Sequence, residues 1–456
     1  MELDIKNKAE YWIPNIDENL RERVLNVVLE ISEKLKDKNF IEQTVMHPNN
    51  KSLAGNIYPW DPVTLSHGYP GIIILFAELD KLFPNNGWDI ASHNHLIEIQ
   101  HYMKNHGINN FSLFGGIAGI AYSVLYASRN GTRYNNFLNN TNKWLISQVN
   151  LMLNECQIQN TGTSPSVYDN IQGLSGVGRY LLEIKNDQGA IEALKGIISL
   201  FINMTKDISV YGEKVPGWYV SNENQFLEKD KSDFPKGNFN CGLAHGITGP
   251  LALMSLALKN GIEINGQREA MQFIVDWIKN WYTDDYWPDR LSFEEVTEGK
   301  LYHTYSKRKG WCYGNPGVTR ALFLAGQALD NDDITNLVLR EYSIVNEEIA
   351  KHKSEQWELY SPSFCHGKAG FLQIYIRLYK DISDDNNSSI NYLLNFLLES
   401  YRPDTPFGFK DIEQKNEFFL EKDKVGLLEG VSGILLVLLS LCVKEEPWWD
   451  GVFLIS

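Results

Sequence analysis

The sequence predicts an all-α protein, an α/α toroid of seven helical-hairpin repeats that carries small irregular or β insertions. Three observations support this class: a Gly-x-x-Gly pattern that occurs seven times, an apolar run after each copy, and amphipathic segments between copies. Successive copies lie about 50 to 70 residues apart, which leaves room for two helices and their connections. The copies begin at Gly68, Gly116, Gly173, Gly246, Gly314, Gly367 and Gly430.

The two kinds of predicted helix differ in the distribution of their apolar residues. The runs from Ile72 to Phe76 and from Ile434 to Leu438 are apolar on every side, as is typical of buried helices. The segment from Leu20 to Leu35 instead places its apolar residues on one face, with charged residues opposite. We therefore expect an inner ring of apolar helices and an outer ring of amphipathic ones. The helix-opening glycines would gather at one rim and allow tight turns there.

Two stretches break the period of a chain that we otherwise expect to form a single domain over residues 1–456. Residues about 205–240 and about 282–310 mix aromatic residues, turn formers and short alternating runs. Both are predicted to be insertions, with loops and small β elements. Long loops in a compact repeat are often functional, and variable decoration is the other interpretation.

Composition and charge narrow the classes of partner and location. The 456 residues are 43% hydrophobic and 22% charged, with a net charge of −15 and no basic stripe, so nucleic acid is not an expected partner. The longest apolar run, from Gly433 to Val443, is shorter than the ~20 residues that span a bilayer. No signal peptide is visible, and the five cysteines are odd in number and scattered. We therefore expect a cytoplasmic protein with reduced thiols, which does not span a membrane.

Two cysteines occupy similar places in neighbouring repeats. Cys312 precedes the fifth helix-opening glycine by two residues, and Cys365-His366 stands directly before the sixth. In a toroid these residues would face one rim, and two sulfurs with one nitrogen suit zinc with a fourth position open. Because free cysteine is commonly a small buried hydrophobe, simple packing is the alternative that spacing alone leaves open.

His245, in Asn240-Cys-Gly-Leu-Ala-His-Gly, is a candidate general acid or base at the fourth repeat. His67 has the equivalent place in the first repeat, so position alone does not single out His245, and a helix-cap role is the alternative for each. Asp169 in the third repeat would lie near the same rim. A carboxylate beside an imidazole orients it and raises its basicity, whereas an ordinary helix N-cap is the other interpretation of Asp169.

A competing metal cluster would use the histidines between the first and second repeats. Their spacing is irregular, which favours solvated histidines on an outer helix face. They are His93, His95, His101 and His106.

At these motifs the sequence resembles the lanthionine synthetase C-like family, the lanthipeptide cyclases. The seven Gly-x-x-Gly helix openings, Asn-x-Gly-Leu-Ala-His-Gly, Gly-Trp-Cys-Tyr-Gly and Cys-His-Gly carry the resemblance, which spans essentially the whole chain. It implies an α/α toroid with one zinc ion per chain. The implied metal ligands are Cys312, Cys365 and His366, and the implied catalytic residues are His245, Asp169, Arg308 and Tyr313. Arg308 is matched only by its offset from Cys312, and a solvated basic run at residues 307–309 is its alternative.

The resemblance also implies the reaction and the partners. A family cyclase adds a peptide cysteine thiol across dehydroalanine or dehydrobutyrine and closes a lanthionine or methyllanthionine ring. The implied substrate is a dehydrated precursor peptide with its leader. Because no dehydratase region precedes the toroid, a separate dehydratase is expected, with an exporter at the inner face of the membrane.

Three alternatives are weighed against this function. A prenyltransferase-like enzyme also activates a thiol on zinc in an α-toroid, but its metal set usually includes an aspartate. A carbohydrate-active α/α barrel would need paired carboxylates at the rim, where this chain has thiols and imidazoles. A zinc-bearing toroid that binds peptide or glutathione-like thiols without cyclase activity is the third.

Overall fold

The structure is a computed structural model that describes residues 11–13, 16–53, 55–156, 162–283, 285–303, 308–384, 387–415 and 418–456. Across these ranges the chain is mostly helical, which confirms the all-α class. The α-helices are α1 (Glu18–Lys34), α2 (Lys38–Val45), α3 (Tyr69–Leu82), α4 (Trp88–His106), α5 (Ile117–Tyr126), α6 (Asn135–Glu155), α7 (Pro165–Tyr168), α8 (Leu174–Glu183), α9 (Gln188–Met204), α10 (Glu228–Asp233), α11 (Thr248–Lys259), α12 (Gln267–Asn280), α13 (Phe293–Glu298), α14 (Asn315–Leu329), α15 (Asp332–Ala350), α16 (Lys368–Asp381), α17 (Asn387–Leu398) and α18 (Val431–Ser440).

The helices that follow the glycine motifs are the buried ones. They are α3, α5, α8, α11, α14, α16 and α18. Every residue of α18 is buried, and α3 is buried from Tyr69 to Asp80. In contrast, α1 buries one face that includes Val24, Val28 and Ile31. The predicted alternation of apolar and amphipathic helices is therefore present. Its physical reason is that a helix can be apolar on every side only where other elements cover it completely.

The chain divides into two compact units. The first comprises Met1–Asn110, Gly119–Leu138 and Glu348–Trp449, and the second comprises Phe111–Ala118, Asn139–Glu347 and Asp450–Ser456. In the first unit α3 packs on α4 and α18, and α18 also packs on α1 and α16. In the second unit α11 packs on α8, α12 and α14. The organisation of residues 1–456 as a single domain stays a prediction.

Backbone hydrogen bonds join four loops of the second unit. Phe114 N–H donates to the carbonyl of Ile171 at 3.3 Å, and Asn170 N–H donates to the carbonyl of Ala244 at 3.0 Å. Ala244 N–H in turn lies 3.4 Å from the carbonyl of Cys312. The loop that holds Phe114 and the third to fifth glycine motifs are thereby brought side by side within this unit.

The first unit repeats this arrangement with its own loops. Cys365 N–H donates to the carbonyl of Leu428 at 2.9 Å, and Leu427 N–H donates to the carbonyl of Leu65 at 3.2 Å. The sixth, seventh and first glycine motifs therefore lie side by side.

Short antiparallel strands form three two-stranded sheets among the described residues. They are β1 (Asp207–Val210) with β2 (Glu213–Pro216), β3 (Asn238–Asn240) with β4 (Arg290–Ser292), and β5 (Asp411–Lys415) with β6 (Phe418–Lys422). The second sheet joins the two stretches predicted to be insertions, since β3 comes from one and β4 from the other. Part of the second stretch, residues 284 and 304–307, lies outside the described residues.

No helix in the described ranges combines the length and the apolar character needed to cross a membrane.

Candidate active site

Asp169 and His245 form a hydrogen-bonded pair in the second unit. Asp169 follows the short helix α7, and its side chain is fully buried. Its Oδ1 atom accepts backbone N–H bonds from Gln172 at 2.7 Å and Gly173 at 2.8 Å, in the loop before α8. Its Oδ2 atom lies 2.6 Å from Nδ1 of His245. The N-cap of α8 is Gly173, which has no side-chain cap, so Asp169 is not an N-cap. Its carboxylate instead supports the loop before α8 and contacts the imidazole of His245.

The pairing involves one of the two ring nitrogens of His245. The side chain of His245 is 27% exposed, and its contact with the Asp169 carboxylate occupies Nδ1. A carboxylate at Nδ1 favours the tautomer that carries its proton on that nitrogen. The rings of Phe226 and Tyr313 lie 5.6 Å and 6.3 Å from the imidazole, measured between centroids.

Tyr313 lies beside this pair and receives two hydrogen bonds. Asn240 Nδ2 donates to its hydroxyl oxygen at 2.9 Å, and Arg290 Nη2 donates to the same oxygen at 2.8 Å. Burial raises the pKa of Tyr313 well above its ordinary value, against the opposing charge of Arg290. The phenol therefore stays protonated at neutral pH and can act as a hydrogen-bond donor.

Cys312 is nearly buried, at 9% exposure, and belongs to the loop that carries Tyr313. Gly242, of the His245 loop, approaches this loop so closely that a Cβ atom there would lie 2.4 Å from the Cys312 carbonyl oxygen. Glycine is therefore required at this position, and the approach sets the Cys312 and His245 loops against each other.

Arg308 begins the turn before the fifth buried helix. The turn closes on Gly314, which has φ +111° and where a Cβ atom would lie 2.0 Å from the Arg308 carbonyl oxygen. The Arg308 side chain is exposed, and its charge acts on Asp289, whose pKa burial raises and Arg308 lowers. Residue 307 of the predicted basic run lies outside the described residues.

A second group of polar residues lies in the first unit. One ligand atom each from Cys365, His366 and Glu429 falls within 4.8 Å of the others, and all three residues are partly exposed. A thiolate sulfur, an imidazole nitrogen and a carboxylate oxygen are ligands that zinc accepts at about 2.0 to 2.3 Å. The donor set of this cluster therefore fits a zinc ion.

A carboxylate stands behind His366. Asp411 Oδ1 lies 3.4 Å from His366 Nε2 and also accepts a hydrogen bond from the Ser361 hydroxyl at 2.6 Å. Asp411 is the first residue of β5 and is buried. A carboxylate on one ring nitrogen of a histidine is the usual support for a metal ligand that uses the other nitrogen.

Lys424 balances the negative charges around His366. Its ammonium group lies 2.8 Å from Asp411 Oδ2, 2.8 Å from Glu413 Oε1 and 2.9 Å from Glu429 Oε2. Burial lowers the pKa of Lys424, but the charges of Glu429 and Asp411 outweigh burial and hold it above the usual value. The lysine therefore stays charged and fixes the three carboxylates in place.

Asn240, Arg290, Asp411 and Glu429 are the residues of these sites that the sequence reasoning missed. A signal existed for Glu429, because it directly precedes the helix-opening Gly430, as His245 precedes Gly246. The residue before each glycine lies at the same turn of every repeat. For Arg290 and Asp411 no such signal was available, since both come from strands outside the repeated pattern.

The histidines between the first two repeats do not form a metal site in the described structure. His93, His101 and His106 are exposed, as expected. The interpretation of His95 as a solvated residue is wrong: its side chain is buried, and Nε2 lies 2.8 Å from the Leu35 carbonyl oxygen. His95 belongs to the apolar face of α4, where it stacks on other aromatic rings.

His67 is partly buried in the first unit, near the group around His366. Burial lowers its pKa, while the charge of Glu429 raises it and that of Lys424 lowers it further. Although His67 has the same place in its repeat as His245 has, the charged residues around the two histidines differ.

Comparison with known proteins places the chain in a family. Residues 59–454 match the lanthionine synthetase C-like protein family. The chain is similar to nisin biosynthesis protein NisC of Lactococcus lactis subsp. lactis, with 29% identity over 389 residues, which are 84% of this chain and 86% of that protein. Among solved structures, nisin cyclase matches with a TM-score of 0.74 and 25% identity, covering 96% of this chain and 98% of that chain. Nisin cyclase is a helical toroid, so this match confirms the predicted fold class. The chain therefore belongs to the lanthionine synthetase C-like family, the family of lanthionine-forming peptide cyclases.

Proposed function

We propose that the protein is a zinc-dependent lanthipeptide cyclase. It adds peptide cysteine thiols to dehydroalanine or dehydrobutyrine and closes lanthionine and methyllanthionine rings in a bacteriocin-type precursor peptide. The observation that carries the proposal is the Asp169–His245 pair, which has the geometry of an oriented proton donor in a chain of this family.

Cys312, Cys365 and His366 are the proposed ligands of one zinc ion. The cluster of Cys365, His366 and Glu429 supports a metal in the first unit, and Asp411 supports the imidazole. The inclusion of Cys312 rests on the Gly-Trp-Cys-Tyr-Gly motif. Zinc held by these residues would keep an incoming peptide cysteine as the thiolate, the nucleophilic form of a group whose usual pKa is about 8.5.

His245 is the proposed proton donor. Addition of the thiolate to the β-carbon of the dehydro residue moves the alkene electron pair onto the α-carbon and its carbonyl as an enolate. The thiol proton passes to solvent, and the α-carbon takes a proton from His245 Nε2, which solvent then replaces. The thioether therefore forms with no net change of mass. Asp169 accepts the Nδ1–H bond and stabilises the imidazolium before the proton leaves.

Tyr313 is the proposed donor to the enolate oxygen. Its hydroxyl is protonated and held beside His245. A fixed donor placed where negative charge develops stabilises the transition state more than the ground state. Arg308 is proposed as a further charged member of the site, on its offset from Cys312 alone.

The proposed substrate is a dehydrated precursor peptide that still carries its leader. A separate dehydratase would supply it, and an exporter would take the cyclised product. We propose that the reaction takes place in the cytoplasm, with contact to the inner face of the membrane made through these partners.

The test is ring closure on a dehydrated peptide. Because the addition conserves mass, the readout is the number of thiols that an alkylating reagent can modify, measured by mass spectrometry with and without the protein. The proposal predicts one alkylation fewer for each ring that closes. It also predicts that the protein raises the rate of ring closure well above the rate without protein. If zinc-loaded protein does not increase the rate at which the peptide thiols are lost, the proposal is wrong. The function would then be thiol binding without ring closure.

A further inference from the structure

We propose that Arg290 is a positioning residue for Tyr313: with Asn240 it turns the phenol into an obligate hydrogen-bond donor toward the substrate. This inference deepens the proposed function and rests on it. It also assigns a purpose to the two stretches, about 205–240 and 282–310, that interrupt the helical repeat.

The sheet of β3 and β4 places the two donors. Asn240 and Arg290 are directly opposite each other across this antiparallel pair, so their side chains emerge on the same face. Both side chains reach the hydroxyl oxygen of Tyr313, at 2.9 Å and 2.8 Å.

The orientation of each donor is fixed by a second contact. The Asn240 Oδ1 atom accepts the backbone N–H of Gly242 at 3.0 Å, which directs the amide nitrogen toward Tyr313. The guanidinium of Arg290 lies over the Tyr313 ring, 4.7 Å from its centroid, and its Nη2 lies 3.3 Å from Asp230 Oδ2. Asp230 belongs to α10, so this helix of the first stretch anchors an arginine of the second.

The consequence for Tyr313 follows from donor and acceptor counting. An arginine has no acceptor, and the amide nitrogen of Asn240 is also only a donor. The phenol therefore accepts from both and cannot give its own hydrogen to either. No hydrogen bond within the described residues uses that hydrogen. It remains for an acceptor near His245, whose ring lies 6.3 Å away between centroids, and the proposed enolate oxygen is such an acceptor.

A double-mutant cycle tests whether Arg290 acts through Tyr313. The variants are Arg290→Met, Tyr313→Phe and the double variant, assayed for ring closure with kcat and KM resolved. We expect Tyr313→Phe to lower kcat about 100-fold, as loss of one fixed oxyanion donor does, and Arg290→Met to lower it about 10-fold. In the Tyr313→Phe background, the arginine change should cost less than about 2-fold, because the group that it positions is already gone.

Control variants separate positioning from structural damage. Arg268→Met removes an exposed arginine of the same unit that pairs with Glu263, and it should leave kcat unchanged. Arg290→Lys keeps a charge near Asp230 but loses the guanidinium plane, so its kcat should lie between those of wild type and Arg290→Met. Thermal unfolding of each variant shows whether it folds. If Arg290→Met does not fold, Arg290→Lys replaces it in the cycle.

The outcomes distinguish this inference from the proposed function. A wild-type protein that closes no rings overturns the proposed function itself. Two results in a cyclising wild-type background would overturn this inference alone. Either Arg290→Met leaves kcat unchanged, or its fold decrease in kcat is the same with and without Tyr313→Phe. Both would mean that Arg290 does not act through Tyr313. A strong coupling with KM nearly unchanged supports it.

Discussion

His245 Nδ1 lies 2.6 Å from Asp169 Oδ2, although the two residues are 76 positions apart in the chain. The contact forms because each residue stands in the loop before a buried helix, and those loops are joined by the hydrogen bond from Asn170 to Ala244. The orientation of the His245 imidazole thus follows from the pairing of equivalent loops in neighbouring repeats.

His245→Ala should slow ring closure by about 10²- to 10⁴-fold, the usual contribution of a positioned general acid. Zinc content should be unchanged, since His245 is not a proposed ligand. The measurement combines thiol alkylation with metal analysis of the same preparation. His93→Ala, at an exposed site, is the control. Rings that form at the normal rate in His245→Ala would refute the proton-donor role.

Asp169→Asn should lower kcat by about 10²-fold while the protein stays folded. The asparagine oxygen can still accept the backbone bonds from Gln172 and Gly173. Its amide nitrogen, however, would replace the oxygen that accepts from His245. A rate equal to that of wild type would limit the role of Asp169 to supporting the loop before α8.

The purified protein should contain about one zinc per chain, and both Cys312→Ala and Cys365→Ala should lose it. Cys442→Ala is the matched control, because burial raises the pKa of that thiol to about 12 and disfavours a thiolate ligand. Metal analysis after gel filtration gives the answer. A folded wild-type protein that cannot be loaded with zinc would remove the thiolate mechanism.

Asp411→Asn should weaken zinc binding about 10- to 100-fold, as is typical when the carboxylate behind a ligating histidine is lost. The matched control is Glu413→Gln, which also removes a carboxylate from Lys424 but none from the vicinity of His366. Competition with a chromophoric chelator measures the affinity without any activity assay. Equal affinities for the two variants would mean that Asp411 serves only the ion-pair network.

His95 should make the protein less stable in acid. Burial lowers its pKa to about 4, although the hydrogen bond to Leu35 opposes this, whereas the unfolded chain has a histidine pKa of about 6.5. Between these values the unfolded state binds the additional proton, so stability is lost as pH falls from about 6.5 toward 4, by up to about 3 kcal/mol.

The replacement His95→Gln tests this loss, since glutamine can still donate to the Leu35 carbonyl but does not titrate. Urea unfolding at pH 7 and pH 4.5 should show a smaller decrease in stability for the variant than for wild type. The same decrease in both proteins would assign the acid sensitivity to other groups.

The repeat architecture was readable from the sequence because its signals are local. The glycine motifs, the apolar runs after them and the amphipathic face of α1 each occupy a few turns of chain, and the structure confirms the helices that they predict. The positions of His245 and Asp169 near one another also followed from the repeat, because equivalent positions of neighbouring hairpins meet at one end. Tyr313 was expected at this site from the family resemblance.

The side chains that contact those residues could be identified only from the folded structure. His95 could not be assigned to the buried face of α4 from spacing alone, since burial depends on what packs against the helix. Arg290 reaches Tyr313 from β4, which pairs with the distant strand β3, and Asp411 reaches His366 from the hairpin of β5 and β6. The hairpins and the residue types at their openings could be predicted from the sequence, because helix periodicity and glycine turns are encoded within a few residues. The hydrogen-bond partners that orient Tyr313 and His366 were decided only by folding, because no local pattern specifies which distant side chain fills the space beside them.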